Sequence, residues 1–179
     1  MTLAFRNRQR TRALNLPLLR RVTRHLLQEE FKVASYELCF HFVEPEEMAE
    51  VNWQFLQHDG STDVITFDYG AADEFKVQSS KFKVQSSEPT PVAALHGEIF
   101  ISVADAVKQA REFRTTWQSE LARYLIHGLL HLRGYDDLQP AQRRVMKREE
   151  NRLLKKTIAE FAVRSLARAR HSSFVIRHS

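Results

Sequence analysis

The stretch that says most about the fold of this chain is HGLLHLRGYDD, residues 127–137. His127 and His131 are four residues apart. On a helix they would lie one turn from each other and about 40° apart around the axis, so both imidazoles can reach one metal ion. If the helix continued, Asp137 would lie about 15 Å from His127 along the axis, too far to share the ion. Gly134 removes this obstacle, because glycine accepts the left-handed conformation that ends a helix and turns the chain back.

The segment therefore predicts a metal site with His127, His131 and Asp137 as ligands, and with Asp136 as the neighbouring alternative. Two histidines at this spacing are often ordinary surface or packing residues, but the glycine and the carboxylate that follow make the pattern more specific. Three protein ligands leave a position for water, which is typical of catalytic zinc. We expect the water to be activated by the ion, and no side chain is identifiable as the proton acceptor.

The expected cofactor is one zinc ion. The chain has a single cysteine, Cys39, which excludes a thiolate-rich site and leaves histidine and carboxylate ligands. The same count excludes an intramolecular disulfide and fits a reducing compartment.

The spacing H-x-x-x-H-x-x-G-x-x-D is also similar to that of metzincin proteases. Those enzymes need a glutamate directly after the first histidine as general base. Gly128 stands at that position here and has no side chain to take a proton. Peptide hydrolysis by that mechanism is therefore disfavoured.

Hydrophobic periodicity outside this segment predicts helices and strands in mixed order. Helical patterns cover residues 16–31, 45–56, 104–113 and 140 to about 164, and a further helix is capped by Thr116 and runs to Leu132. Strand patterns cover residues 36–43, 64–69 and 95–103. This order indicates the α+β class, with a small mixed sheet packed with helices.

A duplicated hexapeptide interrupts the pattern. FKVQSS occupies residues 75–80 and recurs at 82–87. Two copies are too few to bury a shared core, so we interpret about 73–91 as a surface insertion rather than a functional repeat. We expect a single domain over 1–165 and a disordered basic tail over 166–179.

The charge of the chain is unevenly placed. The net charge is +5, and no acidic residue occurs before Glu29. Basic stretches of this kind favour partners that carry phosphate, such as nucleic acid, although solubility alone would also account for them. No apolar run approaches the ~20 residues of a membrane span, and the N-terminus lacks the pattern of a secretory signal, so we expect a cytoplasmic protein without a membrane partner.

Several motifs together resemble one family. HGLLHLRGYDD is similar to the HGxLHLxGYDH signature of the YbeY family of endoribonucleases, also called ribosomal RNA maturation factors. Asn52, Phe55 and Asp59 resemble the helix and turn of that family, TDVITF at 62–67 resembles its TDVLSF strand, and GEI at 97–99 resembles its GDI strand. The resemblance runs from about residue 16 to residue 158, interrupted by the insertion.

The resemblance implies a zincin-like metal-dependent hydrolase. Its expected activity is that of a single-strand-specific, metal-dependent endoribonuclease in ribosomal RNA maturation, including 3′ end processing of small-subunit rRNA, and in ribosome quality control. The implied partners are ribosomal RNA and the small ribosomal subunit. The alternatives are a non-catalytic, metal-binding ribosome assembly factor and, less favoured, a metalloprotease.

Two positions depart from the family pattern. Asp137 stands where the family usually has a third histidine, and a carboxylate is an acceptable zinc ligand. Leu56 stands where many members have a functional arginine, and leucine cannot hold a phosphate. His58 and Arg133 are the candidates to replace that arginine, or are simply surface residues. Glu98 and Asp63 are expected to be structural or to support the ligands.

Overall fold

The computed structural model of the protein describes residues 1–70, 76–77 and 94–167. The elements in chain order are strand β1 (Thr2–Asn7), helix α1 (Leu16–His25) with a π-helical turn (Leu26–Glu30), β2 (Ser35–Val43), α2 (Pro45–Leu56), β3 (Val64–Asp68), β4 (Lys76–Val77), β5 (Ala94–Ser102), α3 (Val103–Glu112), α4 (Trp117–Leu132), α5 (Pro140–Glu160) and a 3₁₀ turn (Val163–Leu166).

The strands form one mixed sheet in the order β1-β2-β5-β3-β4. β1, β2 and β5 run parallel to one another, β3 pairs antiparallel with β5, and β4 pairs antiparallel with β3. The predicted α+β class with a small mixed sheet is confirmed.

The two faces of the sheet pack against different helices. Alternate residues of β2 are buried in the main core, which also contains α1 and α4: Tyr36, Leu38, Phe40 and Phe42. The opposite face packs against α2 through a smaller apolar cluster that includes Met48, Ile65 and Phe67. Phe55, near the end of α2, remains 39% exposed.

Helix α4 carries the predicted metal ligands and packs against β3 and β5. Thr116 caps it as predicted, because its hydroxyl accepts a hydrogen bond of 3.2 Å from the amide of Ser119. Four leucines at helical spacing along it are buried: Leu121, Leu125, Leu129 and Leu132. Burial of each such leucine stabilises the fold by about 1.5–3 kcal/mol, so the helix is held firmly on the sheet.

Gly128 lies at the closest approach between α4 and the sheet. A Cβ atom at this position would lie 2.7 Å from Cγ2 of Ile99 on β5. The position directly after His127 therefore faces the sheet, and a side chain there would have to displace Ile99 or the helix.

Two boundaries differ from the sequence prediction. β1 is absent from the sequence prediction, because Arg6 and the short length of the strand obscure the alternation in which Leu3 and Phe5 pack toward the main core. The predicted domain spans residues 1–165; in the structure Leu166 is also fully buried and Ala167 pairs with Leu14. The rest of the predicted tail lies outside the described residues.

The duplicated hexapeptide falls almost wholly outside the described residues, apart from the backbone of β4. Among the described helices, none combines the length and the apolarity that a membrane span requires.

We predict that Gly128→Ala destabilises the protein. Alanine normally favours a helix relative to glycine by up to about 1 kcal/mol, but here the added methyl group must displace Ile99 or the helix. We expect the free energy of unfolding to fall by about 1–3 kcal/mol, measured by urea denaturation. A variant as stable as the parent protein would show that the helix does not approach the sheet this closely.

Candidate metal centre

Gly134 ends α4 and turns the chain back toward it. The residue has φ = 83°, the left-handed conformation predicted from the sequence. Its amide donates to the carbonyl of His131 at 2.8 Å, and the amide of Tyr135 donates to the carbonyl of Leu130 at 3.0 Å. These two bonds are those of a Schellman motif. The turn brings the segment that follows it alongside the last turns of α4.

The turn brings the three predicted ligands together. Nε2 of His131 lies 3.1 Å from Nε2 of His127, which in turn lies 3.9 Å from Oδ2 of Asp137. All three ligand atoms lie within 4.8 Å of one another. Tetrahedral zinc with bonds of about 2.0–2.2 Å separates its ligand atoms by about 3.3–3.6 Å, so small movements would seat an ion. Within the described ranges, no other group of three such side chains converges in this way.

The Nδ1 atoms of both imidazoles, which lie on the side of each ring away from the ligand cluster, have partners that can only accept hydrogen bonds. Nδ1 of His131 lies 3.1 Å from the backbone carbonyl of Tyr135, and Nδ1 of His127 lies 3.0 Å from the carboxylate of Glu150. Both rings must therefore carry a proton on Nδ1 to make these bonds. When the rings are neutral, their Nε2 lone pairs face each other, and a cation between them removes the repulsion. This donor set fits a metal ion.

Glu150 is a buried carboxylate with several donors. Its side chain is only 4% exposed and accepts hydrogen bonds from His127, from Arg123 at 2.7 Å and from Lys147 at 2.8 Å. Burial on its own would raise the pKa of the carboxyl, but the bonds from His127, Lys147 and Arg123 outweigh burial and lower the pKa to about 2. Glu150 is therefore ionised at neutral pH and holds the ring of His127 in place.

His131 is also kept in the form that a metal requires. Burial lowers the pKa of its imidazole, and the neighbouring His127 lowers it further. A neutral imidazole is the form that binds a metal through nitrogen.

Asp136 and Asp137 take different roles in the turn. Oδ1 of Asp136 accepts a hydrogen bond of 3.1 Å from the amide of Leu138, so its carboxylate closes the local loop. Only Asp137 joins the two histidines. The carbonyl of Asp137 accepts a bond of 2.7 Å from Nε of Arg143 in the first turn of α5.

Neither His58 nor Arg133, the two candidates to replace the family arginine, belongs to the cluster of His127, His131 and Asp137. Leu56 packs against the apolar cluster under α2. Arg133 donates to the carbonyl of Phe31 at 3.0 Å, and its guanidinium lies over the Phe31 ring. His58 is an exposed residue in the turn after α2.

The two acidic residues expected to be structural have such contacts. Glu98 lies 3.1 Å from Nε2 of His41, and its strand position places it on the sheet face opposite α4. Asp63 accepts a hydrogen bond of 3.0 Å from the amide of Val64 at the start of β3.

Sequence reasoning missed Glu150 and Arg143 as neighbours of the site. A signal for Glu150 was present, since it falls on the apolar stripe of α5 with Met146, Leu153 and Leu154, where a carboxylate is costly unless it is paired. No signal of this kind marks Arg143, because its contact depends on how the loop packs against α5.

The fold and the site together define an α+β protein whose candidate metal site is carried by one helix and by the turn that follows it. Residues 4–158 match the family model described as Endoribonuclease YbeY, and the chain belongs to that family. It is 36% identical to the endoribonuclease YbeY of Bacteroides fragilis over 118 residues, which are 66% of this chain and 70% of that protein. It is 30% identical to that of Salinibacter ruber over 144 residues, 80% of this chain and 84% of that protein.

A solved structure also resembles this fold. The solution structure of TM1509 from Thermotoga maritima matches with a TM-score of 0.57 at 22% identity, covering 96% of this chain and 99% of that one. At this identity the likeness concerns the fold. The family match begins at residue 4 and so includes most of β1, the strand that the sequence motifs did not reveal.

We predict that Gly134→Ala weakens both the fold and metal binding. Alanine at φ = 83° is strained by about 1 kcal/mol or more, and relief of that strain would move the Tyr135 carbonyl and Asp137. We expect a lower melting temperature and weaker zinc binding by calorimetry. Gly134→Asn is the control, because asparagine tolerates this conformation. Equal behaviour of the two variants would contradict a role for the left-handed turn.

We predict that Glu150→Gln lowers the affinity for zinc by about 10–100-fold, the usual effect of removing a carboxylate that orients a metal-binding histidine. Competition against a chromogenic chelator measures this change. Glu149→Gln is the matched control, since Glu149 pairs with Arg152 at 2.7 Å and not with His127. An unchanged affinity in Glu150→Gln would show that His127 needs no such support.

Proposed function

We propose that this protein is a zinc-dependent endoribonuclease. It would cleave single-stranded RNA in the cytoplasm, take part in 3′ end maturation of small-subunit ribosomal RNA and in ribosome quality control, and act at the small ribosomal subunit. The observation that carries this proposal is the convergence of two imidazole Nε2 atoms and a carboxylate in a chain of the YbeY endoribonuclease family.

His127, His131 and Asp137 would hold the ion. Asp137 is favoured over Asp136 because the carboxylate of Asp136 closes its own turn. When bound, zinc supplies Lewis-acid chemistry, which polarises a phosphoryl oxygen and lowers the pKa of water.

The residues around the ligands orient them and leave the site open. Glu150 and the Tyr135 carbonyl fix the two rings, while the side chains of His127 and Asp137 are 23% and 40% exposed, so a phosphodiester can approach from solvent. Glu150 is not the proton acceptor of the reaction. It already accepts from three donors, and a carboxylate with a pKa of about 2 is a very weak base near neutral pH.

A metzincin-type protease mechanism is not supported. The general base of that mechanism would occupy the position of Gly128, and a side chain there would collide with Ile99. The proton acceptor of the proposed reaction would then be a group other than residue 128.

We also propose that the catalytic unit is the single domain predicted from the sequence, residues 1–165, extended by the packed residues Leu166 and Ala167. The duplicated hexapeptide would be an insertion within it.

The test is cleavage of a structured RNA with single-stranded loops, with casein as a control substrate. We expect RNA cleavage that is abolished by a chelator, restored by zinc and lost in His127→Ala, while casein stays intact. RNA cleavage that survives both chelation and His127→Ala would contradict the metal-centred mechanism. Zinc binding without RNA cleavage would instead support a non-catalytic assembly factor.

The third ligand is tested by the metal content of Asp137→Ala and Asp136→Ala. We expect Asp137→Ala to lose zinc affinity by more than about 100-fold, since a ligand matters at least as much as the groups that orient it. Asp136→Ala should keep its zinc, although its turn is less stable. The reverse ranking would assign the third ligand to Asp136.

A further inference from the structure

The candidate site lacks an obvious cation for a phosphate. The carboxylates near it are those of Asp136, Asp137 and Glu150. Leu56 contributes an apolar contact beneath α2 instead of a charge. An RNA substrate, which the proposed function requires, carries one negative charge on every phosphate, so a basic residue beside the ligands would favour its binding.

Two nearby arginines are less exposed than Arg143 and are already bonded to other groups. Arg133 is occupied by the carbonyl and the ring of Phe31. Arg123 donates to Glu120 at 3.2 Å, to Glu150 at 2.7 Å and to Asn151 at 2.8 Å, and its side chain is only 22% exposed. Both are only partly exposed, so a phosphate in solution reaches them less readily than it reaches a fully exposed arginine.

Arg143 differs from both. It is exposed on the first turn of α5, and its Nε donates to the carbonyl of Asp137 at 2.7 Å. Its two terminal amino groups make no hydrogen bond or ion pair with any residue in the described part of the chain. One bond thus fixes the guanidinium beside a metal ligand and leaves the other donors free.

We propose that Arg143 binds the RNA phosphate that lies next to the metal site. A guanidinium presents its remaining N–H groups in one plane, in the fork that suits two phosphate oxygens. The positive end of α5 lies at the same place and favours an anion. Further along this helix Lys147, 56% exposed and bonded to Glu150 alone among the residues that the structure describes, adds positive charge on the side of His127.

The experiment measures binding of a fluorescent single-stranded RNA to the metal-free protein by anisotropy, and zinc binding separately by calorimetry. The variant is Arg143→Gln. Its matched control is Arg148→Gln, which removes the same charge from an exposed residue of α5 that has no bonded partner among the described residues and projects about 140° away around the helix. Arg143→Lys keeps the positive charge but loses the planar N–H donors that bind two phosphate oxygens at once.

We expect Arg143→Gln to weaken RNA binding roughly tenfold, the effect of one charge-assisted phosphate contact. Its zinc affinity should change by less than about twofold, and in the zinc-loaded enzyme KM should rise more than kcat falls. Arg148→Gln should change RNA binding by less than about threefold, and Arg143→Lys should lie between the two.

Equal losses in Arg143→Gln and Arg148→Gln would overturn the inference in favour of general charge attraction. A loss of zinc affinity that accompanies the loss of RNA binding would overturn it as well, because Arg143 would then only support the ligand loop. If the unsubstituted protein neither binds nor cleaves RNA, the proposed function fails and the inference fails with it. RNA cleavage by the unsubstituted protein with no effect of Arg143→Gln overturns the inference alone.

Discussion

The contact between Gly128 and Ile99 sets the direction in which the neighbouring histidines point. Because the backbone of α4 lies directly on the sheet at this residue, the side of the helix that carries His127 and His131 turns toward α5 and the loop before it. A larger residue at 128 would lift or rotate the helix and separate the imidazoles from their partners. The same contact removes the position that a protease of similar spacing needs for its general base, so one packing constraint shapes both the site and its chemistry.

The electrostatics of the site follow from that placement. Glu150 is buried because α5 packs on α4, and a buried carboxylate is tolerated only when it is well bonded. His127, Arg123 and Lys147 provide those bonds, so a potentially unfavourable charge becomes the group that orients His127, a proposed metal ligand. Since a metal ion would relieve the opposition of two Nε2 lone pairs, metal binding and the stability of this region are coupled.

Local sequence signals predicted much of the fold and the candidate ligand cluster. The helix cap at Thr116, the leucine stripe of α4 and the left-handed turn at Gly134 each depend on a few neighbouring residues, and the structure agrees with them. What was missed depends on contacts between distant segments. β1 is defined by its pairing with β2, the partner of His127 comes from another helix, and burial of Leu166 depends on how the end of the chain returns to the core.

X-ray absorption at the zinc edge, combined with anomalous diffraction from zinc-loaded crystals, tests the central claim most directly. The account predicts one ion per chain, bound through Nε2 of His127, Nε2 of His131 and a carboxylate oxygen of Asp137, with bonds of about 2.0–2.2 Å. An ion bound elsewhere, bound through Nδ1 of either histidine, or held without Asp137 would contradict it.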